Sequence, residues 1–299
     1  MRVTHNTFPD GLIRHLQRIT TQMNSLSEQS ATGQRITDLS DDSAAANRIL
    51  DMQEEKGRIT QYTKNAARAD NINNSTISQL NNFISISDRI NEIATLANDL
   101  KGPQGLQAYA EEVDELIEHA MQSANTKFNG EYIFHGADSS NPPFAIDTSG
   151  ATDVAVYSGG TNPNEGPEFH LSESGTISPF TSNSTNEKFA DFITRMIDLR
   201  DALESGSAAA VTNTLREDLE TSEDELIFAL SRQGSVQMRI EFDDGLNKQR
   251  FTDLENNISA EADVDIAQTI VRLTQIQNAY QASLQSAGQV LNSSLLNYL

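Results

Sequence analysis

Hydrophobic residues recur at both ends of the chain with alternating spacings of three and four, which is the repeat of a coiled-coil helix. We call each such row of residues a seam. The first seam consists of Leu12, Leu16, Ile19, Met23 and Leu26. The last seam consists of Ile266, Ile270, Leu273, Gln277, Tyr280, Leu284, Ala287, Leu291, Ser294 and Tyr298. Because each seam needs a partner helix, we predict that these two pair as an antiparallel coiled coil.

A longer seam with the same spacing lies in the first third of the chain. Its members are Ile59, Tyr62, Ala66, Ala69, Asn73, Thr76, Leu80, Phe83, Ser87, Ile90, Ala94 and Ala97. The pattern predicts one helix from Ser43 to Leu100, which would be about 87 Å long at 1.5 Å per residue. We expect Gly102 and Pro103 to end this helix and another helix to cover 106–126.

The middle of the chain changes character. Residues 138–185 contain six acidic residues, no lysine or arginine, and most of the seven prolines. Short β-prone runs occur in and next to this region, at Tyr132–Phe134, Phe144–Ile146, Val154–Tyr157 and Phe169–Leu171. Such runs between turn residues predict a small β-rich insertion. Helical patterns return over 186–204 and 208–257.

These patterns together predict a mainly α protein, an elongated rod with long antiparallel coiled-coil helices from both termini. The predicted parts are a terminal coiled-coil assembly domain (1–40 and 266–299), a helical rod domain (41–137 and 186–265) and a β-rich outer insertion (138–185).

The charge balance and the missing cysteines exclude several classes of function. Acidic residues outnumber basic ones by 43 to 21, so the net charge is −22. A nucleic-acid-binding protein needs a basic surface, and an anionic membrane repels an acidic one. Without cysteine, disulfides and thiolate chemistry are excluded. No apolar run is long enough to insert into a membrane, and the first residues lack the apolar region of a cleaved signal peptide.

No motif of catalysis or cofactor binding is present. The histidines do not form a zinc-protease pattern, and no phosphate-binding glycine loop or nucleophile elbow occurs. Glu261, Asp263 and Asp265 lack the glycine and glutamate of an EF-hand, and we interpret them as an acidic first turn of the last helix. We therefore predict no catalytic residue, no cofactor, no metal site and no enzymatic activity.

The end of the chain favours self-assembly. None of the 27 residues after Arg272 is charged. In an assembly of identical chains, charges in an inner layer would face their own copies at low dielectric, so their absence suits a buried contact. We predict that the terminal seams form the subunit interface, through Leu12, Leu16, Ile19, Met23, Leu26, Ile270, Leu273, Gln277, Tyr280, Leu284, Ala287, Leu291 and Tyr298.

Three segments resemble a known family. Residues 32–42, TGQRITDLSDD, precede an alanine-rich helix and resemble the N-terminal signature of the flagellin superfamily. Residues 129–136, NGEYIFHG, are similar to the entry into the β domain of flagellar hook-associated protein 3, the hook–filament junction family, and residues 281–299 resemble that family's ending more than flagellin's. The residues that carry the signature are Gly33, Arg35, Ile36, Asp41, Asp42, Asn129, Gly130 and Gly136.

The resemblance implies a non-enzymatic structural subunit of the bacterial flagellum. Such a subunit is exported unfolded through the flagellar type III apparatus, without a cleaved signal peptide, and assembles outside the cell as a ring or layer between hook and filament. The implied partners are further copies of the chain, another hook-associated protein on the hook side, flagellin on the filament side and an export chaperone. Two alternatives stay open: flagellin itself, the filament subunit, and a non-flagellar extracellular coiled-coil binding module.

Overall fold

The structure, a computed structural model, describes residues 7–38, 40–97, 102–135, 141–150, 152–159, 166–206 and 208–296, with side chains from residue 11 to residue 289. The fold class is mainly α, as predicted. Six α-helices lie in the described part: α1 (Thr7–Thr32), α2 (Ser43–Leu96), α3 (Gly102–Ala124), α4 (Asn183–Glu204), α5 (Asn213–Ala262) and α6 (Ile266–Leu296). A short 3₁₀ helix covers Ala208–Ala210.

The β structure is small and consists of antiparallel strand pairs in the described residues. The pairs are β1 (Lys127–Phe128) with β2 (Glu131–Tyr132), β3 (Phe144–Asp147) with β4 (Val154–Tyr157), and β5 (Phe169–His170) with β6 (Thr176–Ile177). In the longest pair, Phe144 lies opposite Tyr157 and Asp147 opposite Val154. Each β-prone run that the sequence shows overlaps one of these strands, so the small β region is confirmed.

The chain divides into two compact units. The first unit comprises Met1–Arg58 and Arg250–Leu299, and the second comprises Ile59–Gln249. Helices α2 and α5 therefore contribute residues to both units. The three-part division into assembly domain, rod and insertion stays a prediction.

The core of the second unit is built on the α2 seam. Every member of that seam is buried except Tyr62, which is half-buried. Phe83 lies at the centre, with its ring centroid 5.4 Å from Phe189, 6.3 Å from Phe134 and 6.4 Å from Phe192. The long seam is thus confirmed as the packing face of α2 in this unit.

Two polar members of the α2 seam donate hydrogen bonds in the core, whereas the hydroxyl of Ser87 is buried without a hydrogen-bond partner among the described residues. Asn73 donates through Nδ2 to Oε1 of Gln237 at 2.8 Å, and the hydroxyl of Thr76 donates to the Ile72 carbonyl at 3.0 Å. Buried polar groups cost free energy unless they are hydrogen-bonded, and these bonds allow polar residues at seam positions.

The prediction for Gly102 and Pro103 was wrong. Helix α2 ends at Leu96, and Gly102 and Pro103 begin α3 rather than terminate the helix before it. Gly102 has a positive φ of 64°, which glycine adopts without strain. Proline is tolerated in a first helical turn because its missing N–H would have no intrahelical partner there.

Candidate assembly site

The two terminal helices pack against each other in the first unit. Along α1, Ile19 is buried and the other seam residues Leu12, Leu16, Met23 and Leu26 are half-buried. The pair is antiparallel, because the chain just after α1 forms an antiparallel bridge, Gln34 with Asp263, to the chain just before α6. The predicted pairing of the chain ends is confirmed.

Helix α6 packs against α1 through a slightly different face from the one that its seam predicts. The residues that it buries or half-buries are Thr269, Leu273, Ile276, Tyr280, Ser283 and Ala287. Leu273, Tyr280 and Ala287 belong to both rows. Ile270, Gln277 and Leu284 were expected on the packing face, but they are exposed.

The exposed members form what we call the α6 outer stripe: Ile266, Ile270, Gln277 and Leu284. On a helix these residues lie beside the packing face, because neighbouring positions differ by about 100°. The stripe is largely apolar, and Leu284 is 45% exposed. The assignment of seam residues to a subunit interface stays a prediction, and among the side chains that the structure describes the stripe is the exposed part of the seam. The Leu291 side chain, Tyr298 and Gly136 lie outside the described residues.

The signature residues near Gly33 connect the turn after α1 to the turn between α5 and α6. Gly33 has a positive φ of 72° and ends α1, with its N–H donating to the Gln29 carbonyl at 2.9 Å. Its own carbonyl accepts from the Val264 N–H at 2.9 Å, and the Arg35 N–H donates to the Ala262 carbonyl at 2.6 Å. A left-handed residue at this point is the usual way to end a helix, and glycine is favoured there.

Four charged residues lie at this contact between residues 33–35 and residues 262–264, and we call them the clasp: Arg35, Asp42, Arg48 and Glu261. Arg35 donates through Nε and Nη2 to the Glu261 carbonyl at 3.1 and 2.8 Å, and its Nη1 lies 3.5 Å from Oδ2 of Asp42. Arg48 donates to both carboxylate oxygens of Glu261, at 3.2 and 3.0 Å. The bond to Glu261 raises the pKa of Arg48.

Sequence reasoning found Arg35 and Asp42 but missed Arg48 and Glu261. The sequence pattern predicts Glu261 in the acidic first turn of the last helix, but this residue lies near the end of α5. Of that acidic group it is Asp265 that caps α6, accepting from the Gln268 N–H at 3.1 Å. The remaining signature residue of the turn, Ile36, is half-buried.

Asp41 and Asp42 organise the start of α2. Oδ2 of Asp41 accepts from the N–H groups of Asp38 and Thr37 at 3.1 and 3.3 Å. Oδ1 of Asp42 accepts from the Ala45 N–H at 3.0 Å, which makes it the N-cap of the helix. Backbone hydrogen bonds to the charged form lower the pKa of both carboxyl groups, through Asp38 for Asp41 and through Ala45 for Asp42.

Acid is therefore expected to loosen the start of α2. A carboxyl group whose pKa is lowered by folding stabilises the fold above its unfolded pKa, and this contribution is lost as the pH falls through the folded pKa. Since 3.8 is the ordinary value for both groups, the loss should begin near pH 4 and increase below it. We expect amide protection of Ala45 and Ala46, corrected for intrinsic exchange, to fall over this range.

Asp42→Asn is the control for this acid effect. Asparagine caps helices about as well as aspartate but does not titrate. The variant should keep its protection near neutral pH and lose most of the acid dependence. The same acid dependence in both proteins would contradict the assignment to Asp42.

Asn129 and Gly130 form a tight hairpin turn in the second unit. Both have positive φ, 53° and 90°, and they connect β1 to β2 with no other residue between the strands. Positive φ at both central positions is the requirement of a type I′ turn, for which Asn-Gly is the preferred pair. The side chain of Lys127 lies over the Tyr132 ring, 4.4 Å from its centroid, and fixes the two strands further.

The described residues do not include a group of three or more His, Asp or Glu side chains placed to hold a metal ion. Within the same ranges, no helix has the length and apolar character of a membrane-spanning segment. The clasp, in the first unit, joins the chain after α1 and the start of α2 to the end of α5.

Comparison with known proteins agrees with the sequence signature. Residues 3–139 match the family model of the bacterial flagellin N-terminal helical region. No curated protein matches the sequence of this chain.

Several solved structures share the fold. Bacillus cereus FlgL is 22% identical, with a TM-score of 0.60, covering 70% of this chain and 99% of its own. A Vibrio parahaemolyticus protein assigned as flagellar hook-associated is 17% identical, with a TM-score of 0.65 and coverage of 75% and 100%. The flagellar junction protein FlgL of Legionella pneumophila is 14% identical, with a TM-score of 0.55 and coverage of 74% and 100%. The N-terminal resemblance to flagellin is therefore supported by the family model, and the fold is shared with the solved FlgL and hook-associated proteins.

Proposed function

We propose that this chain is a structural subunit of the bacterial flagellum and joins the hook to the filament. The observation that carries the proposal is the likeness to FlgL and hook-associated proteins over essentially their whole lengths, 99–100% of each. The Legionella relative is a flagellar junction protein. The ending of the sequence, which resembles the junction family more than flagellin, supports the same role.

Assembly in this proposal occurs through the terminal helices. The α6 outer stripe offers Ile266, Ile270 and Leu284 to a second copy of the chain, and the absence of charge after Arg272 removes repulsion between like helices. A contact between a patch of one copy and a different patch of the next generates a ring or a helical layer. The terminal seams then pack against each other within the chain and also contact neighbouring copies.

The remaining roles follow from this placement. One side of the layer contacts another hook-associated protein and the other side contacts flagellin, while an export chaperone binds the chain before export. The protein works outside the cell, at the hook–filament junction, and acts mechanically rather than as an enzyme. The motif-free sequence and the clasp, which is organised to hold two turns together, support a structural role.

Flagellin is the second candidate. The family model that matches residues 3–139 describes the N-terminal helical region of flagellin, which supports a filament subunit as well as a junction subunit. The two functions differ in what the purified chain does alone. A filament subunit polymerises with itself into long tubes, whereas a junction subunit needs a hook or filament end.

The test combines polymerisation with end binding. The purified chain is kept at high concentration with a precipitating salt and examined by sedimentation and negative-stain electron microscopy. It is also mixed with flagellin filaments from the same bacterium, either intact or sheared to raise the number of ends at constant mass. The junction role predicts no long tubes from the chain alone and co-sedimentation that rises with the number of filament ends.

Two results would contradict the junction role. Long tubes from the chain alone would assign it as flagellin. If the amount of co-sedimented chain is the same with intact and sheared filaments, the chain does not bind at filament ends. If the chain co-sediments with neither filaments nor hooks, it binds at neither end.

A further inference from the structure

The middle of the α2 seam has no large apolar residue that is buried. The structure describes every residue from Ile59 to Leu80, and the buried seam members between these two are small or polar. They are Ala66, Ala69, Asn73 and Thr76. Because the free energy gained by packing follows the apolar area removed from water, this stretch holds α2 in place less firmly than the seam around Phe83 does.

The β5–β6 hairpin, residues 169–177, supplies large side chains to this stretch, and we call it the strap. A hydrophobic cluster of the second unit joins the strap to α2 and α5. Its buried members are Ala66, Ala69, Leu171, Ile177 and Ile240. Leu171 and Ile177 are 1% and 6% exposed, and they are two of the three large side chains in this cluster. The strap therefore provides most of the apolar volume that packs here.

Side chains of both long helices hold the backbone of the strap. From α2, Asn65 donates through Nδ2 to the His170 carbonyl at 2.9 Å. From α5, the buried Asn247 donates through Nδ2 to the Leu171 carbonyl at 2.8 Å. The strap thus bridges α2 and α5 through hydrogen bonds as well as through apolar contacts.

The strap is too small to be stable without the helices. Each of its strands has two residues, with Phe169 opposite Ile177 and His170 opposite Thr176. An isolated two-stranded hairpin is at best marginally stable in water, even when its strands are longer. The strap depends on α2 and α5 for its fold, and their packing over this stretch depends on the strap. The three segments should therefore form and open together.

The cluster under the strap is separate from the larger hydrophobic cluster that contains Phe83. The chain that follows the strap has its own attachments. Nε2 of Gln233 donates to the Pro179 carbonyl, and Nδ2 of Asn186 donates to the Phe134 carbonyl at 3.1 Å. Local opening breaks only the contacts of the element that opens, so the smaller cluster can open while the larger one stays closed.

We propose that the strap is a detachable element, whose release frees α2 from α5 over residues 59–70 and 239–249 while the core around Phe83 stays folded. The closed state differs from the open one by the small cluster and by the two asparagine hydrogen bonds. The second unit ends at Ile59 on α2 and at Gln249 on α5, so the released stretch is one end of that unit. This property belongs to the isolated chain and does not depend on the flagellar role.

Single cysteines, introduced into a chain that has none, report the opening. Ala66→Cys places a thiol in the cluster under the strap, and Ala94→Cys places one at an equally buried seam position in the larger cluster. The purified full chain is labelled with a thiol reagent at increasing urea concentrations, and each rate is divided by that of the unfolded chain. The thiol at position 66 should react faster than the one at position 94 and depend less on urea, because a smaller opening exposes it. Leu171→Ala should raise the rate at position 66 by at least about 30-fold, which corresponds to about 2 kcal/mol, the lower limit for truncating a buried leucine, and leave the rate at position 94 unchanged.

Glu173→Ala is the matched control within the strap. It truncates an exposed residue between the two strands, so neither labelling rate should change. An equal rise at both positions in Leu171→Ala would overturn the proposal, because the strap would then belong to one cooperative core. No rise at position 66 would overturn it too, because the strap would not cover that stretch. If Leu171→Ala does not fold, the natural strap decides the question: equal rates with equal urea dependence at the two positions would contradict a separate opening.

Discussion

Replacing Leu284 with aspartate is expected to abolish incorporation into the flagellar assembly while the chain itself still folds. Leu284 is 45% exposed in the chain, so the new carboxylate can remain hydrated in the isolated protein. In the proposed assembly the same position is covered by a second copy, where an unpaired charge costs several kcal/mol. Co-sedimentation with sheared filaments or hooks measures the loss, and circular dichroism checks the helical content.

Gln285→Asp is the matched control for that change. It introduces the same charge one residue later, about 100° around the helix and away from both the packing face and the outer stripe. Gln285 is exposed and polar, so this variant should bind like the natural chain. Equal incorporation of both variants would contradict the role of the α6 outer stripe, and equal loss would show that any added charge on α6 is harmful.

Replacing Phe83 with alanine is expected to destabilise the second unit by about 3–5 kcal/mol, the usual range for a buried phenylalanine. The side chain is fully buried and touches the rings of Phe134, Phe189 and Phe192, so its removal leaves a cavity among three aromatic neighbours. Urea unfolding followed by circular dichroism measures the change, together with amide exchange of α4.

Phe228→Ala makes the same substitution on the surface of the same unit. Because Phe228 is mostly exposed, its removal should change the free energy of unfolding by only about 0.5 kcal/mol or less. A loss below about 1 kcal/mol for Phe83→Ala, or similar losses for both variants, would contradict the assignment of Phe83 to the centre of the core.

The long α2 seam shows what the sequence can predict. Its alternation of three and four persists over many turns, and such a sustained period leaves one helix face as the only consistent packing surface. Even Asn73 and Ser87, which are polar, are buried at the positions that the spacing assigns. Asn73 is hydrogen-bonded in the core, whereas Ser87 is buried by its position on the helix without a hydrogen-bond partner among the described residues. Hydrophobicity alone would have placed both residues outside the core.

Short-range signals were harder to interpret. Glycine followed by proline marks a helix end or a helix start equally well, and at 102–103 the structure uses it as a start. The Asn-Gly pair at 129–130 is the preferred pair of a type I′ hairpin turn, and this local signal identifies the turn independently of the family signature. On α6, two overlapping rows satisfy the same spacing, so the spacing alone does not determine which row α1 covers.

The candidate site was predicted in part. The signature identified Gly33, Arg35, Asp41 and Asp42, which the structure brings into one turn region of the first unit. Their partner Glu261 is more than 200 residues away, and no local pattern reveals that pairing. A contact between distant segments depends on the fold, which here brings the chain around the start of α2 to the end of α5.

The location of the chain on intact flagella tests the central claim most directly. Antibodies against the purified protein, with gold label, are applied to flagella isolated with their hooks and viewed by electron microscopy. The account predicts a single labelled band at the boundary between hook and filament. Label along the whole filament, or flagella without label in cells that produce the chain, would contradict it.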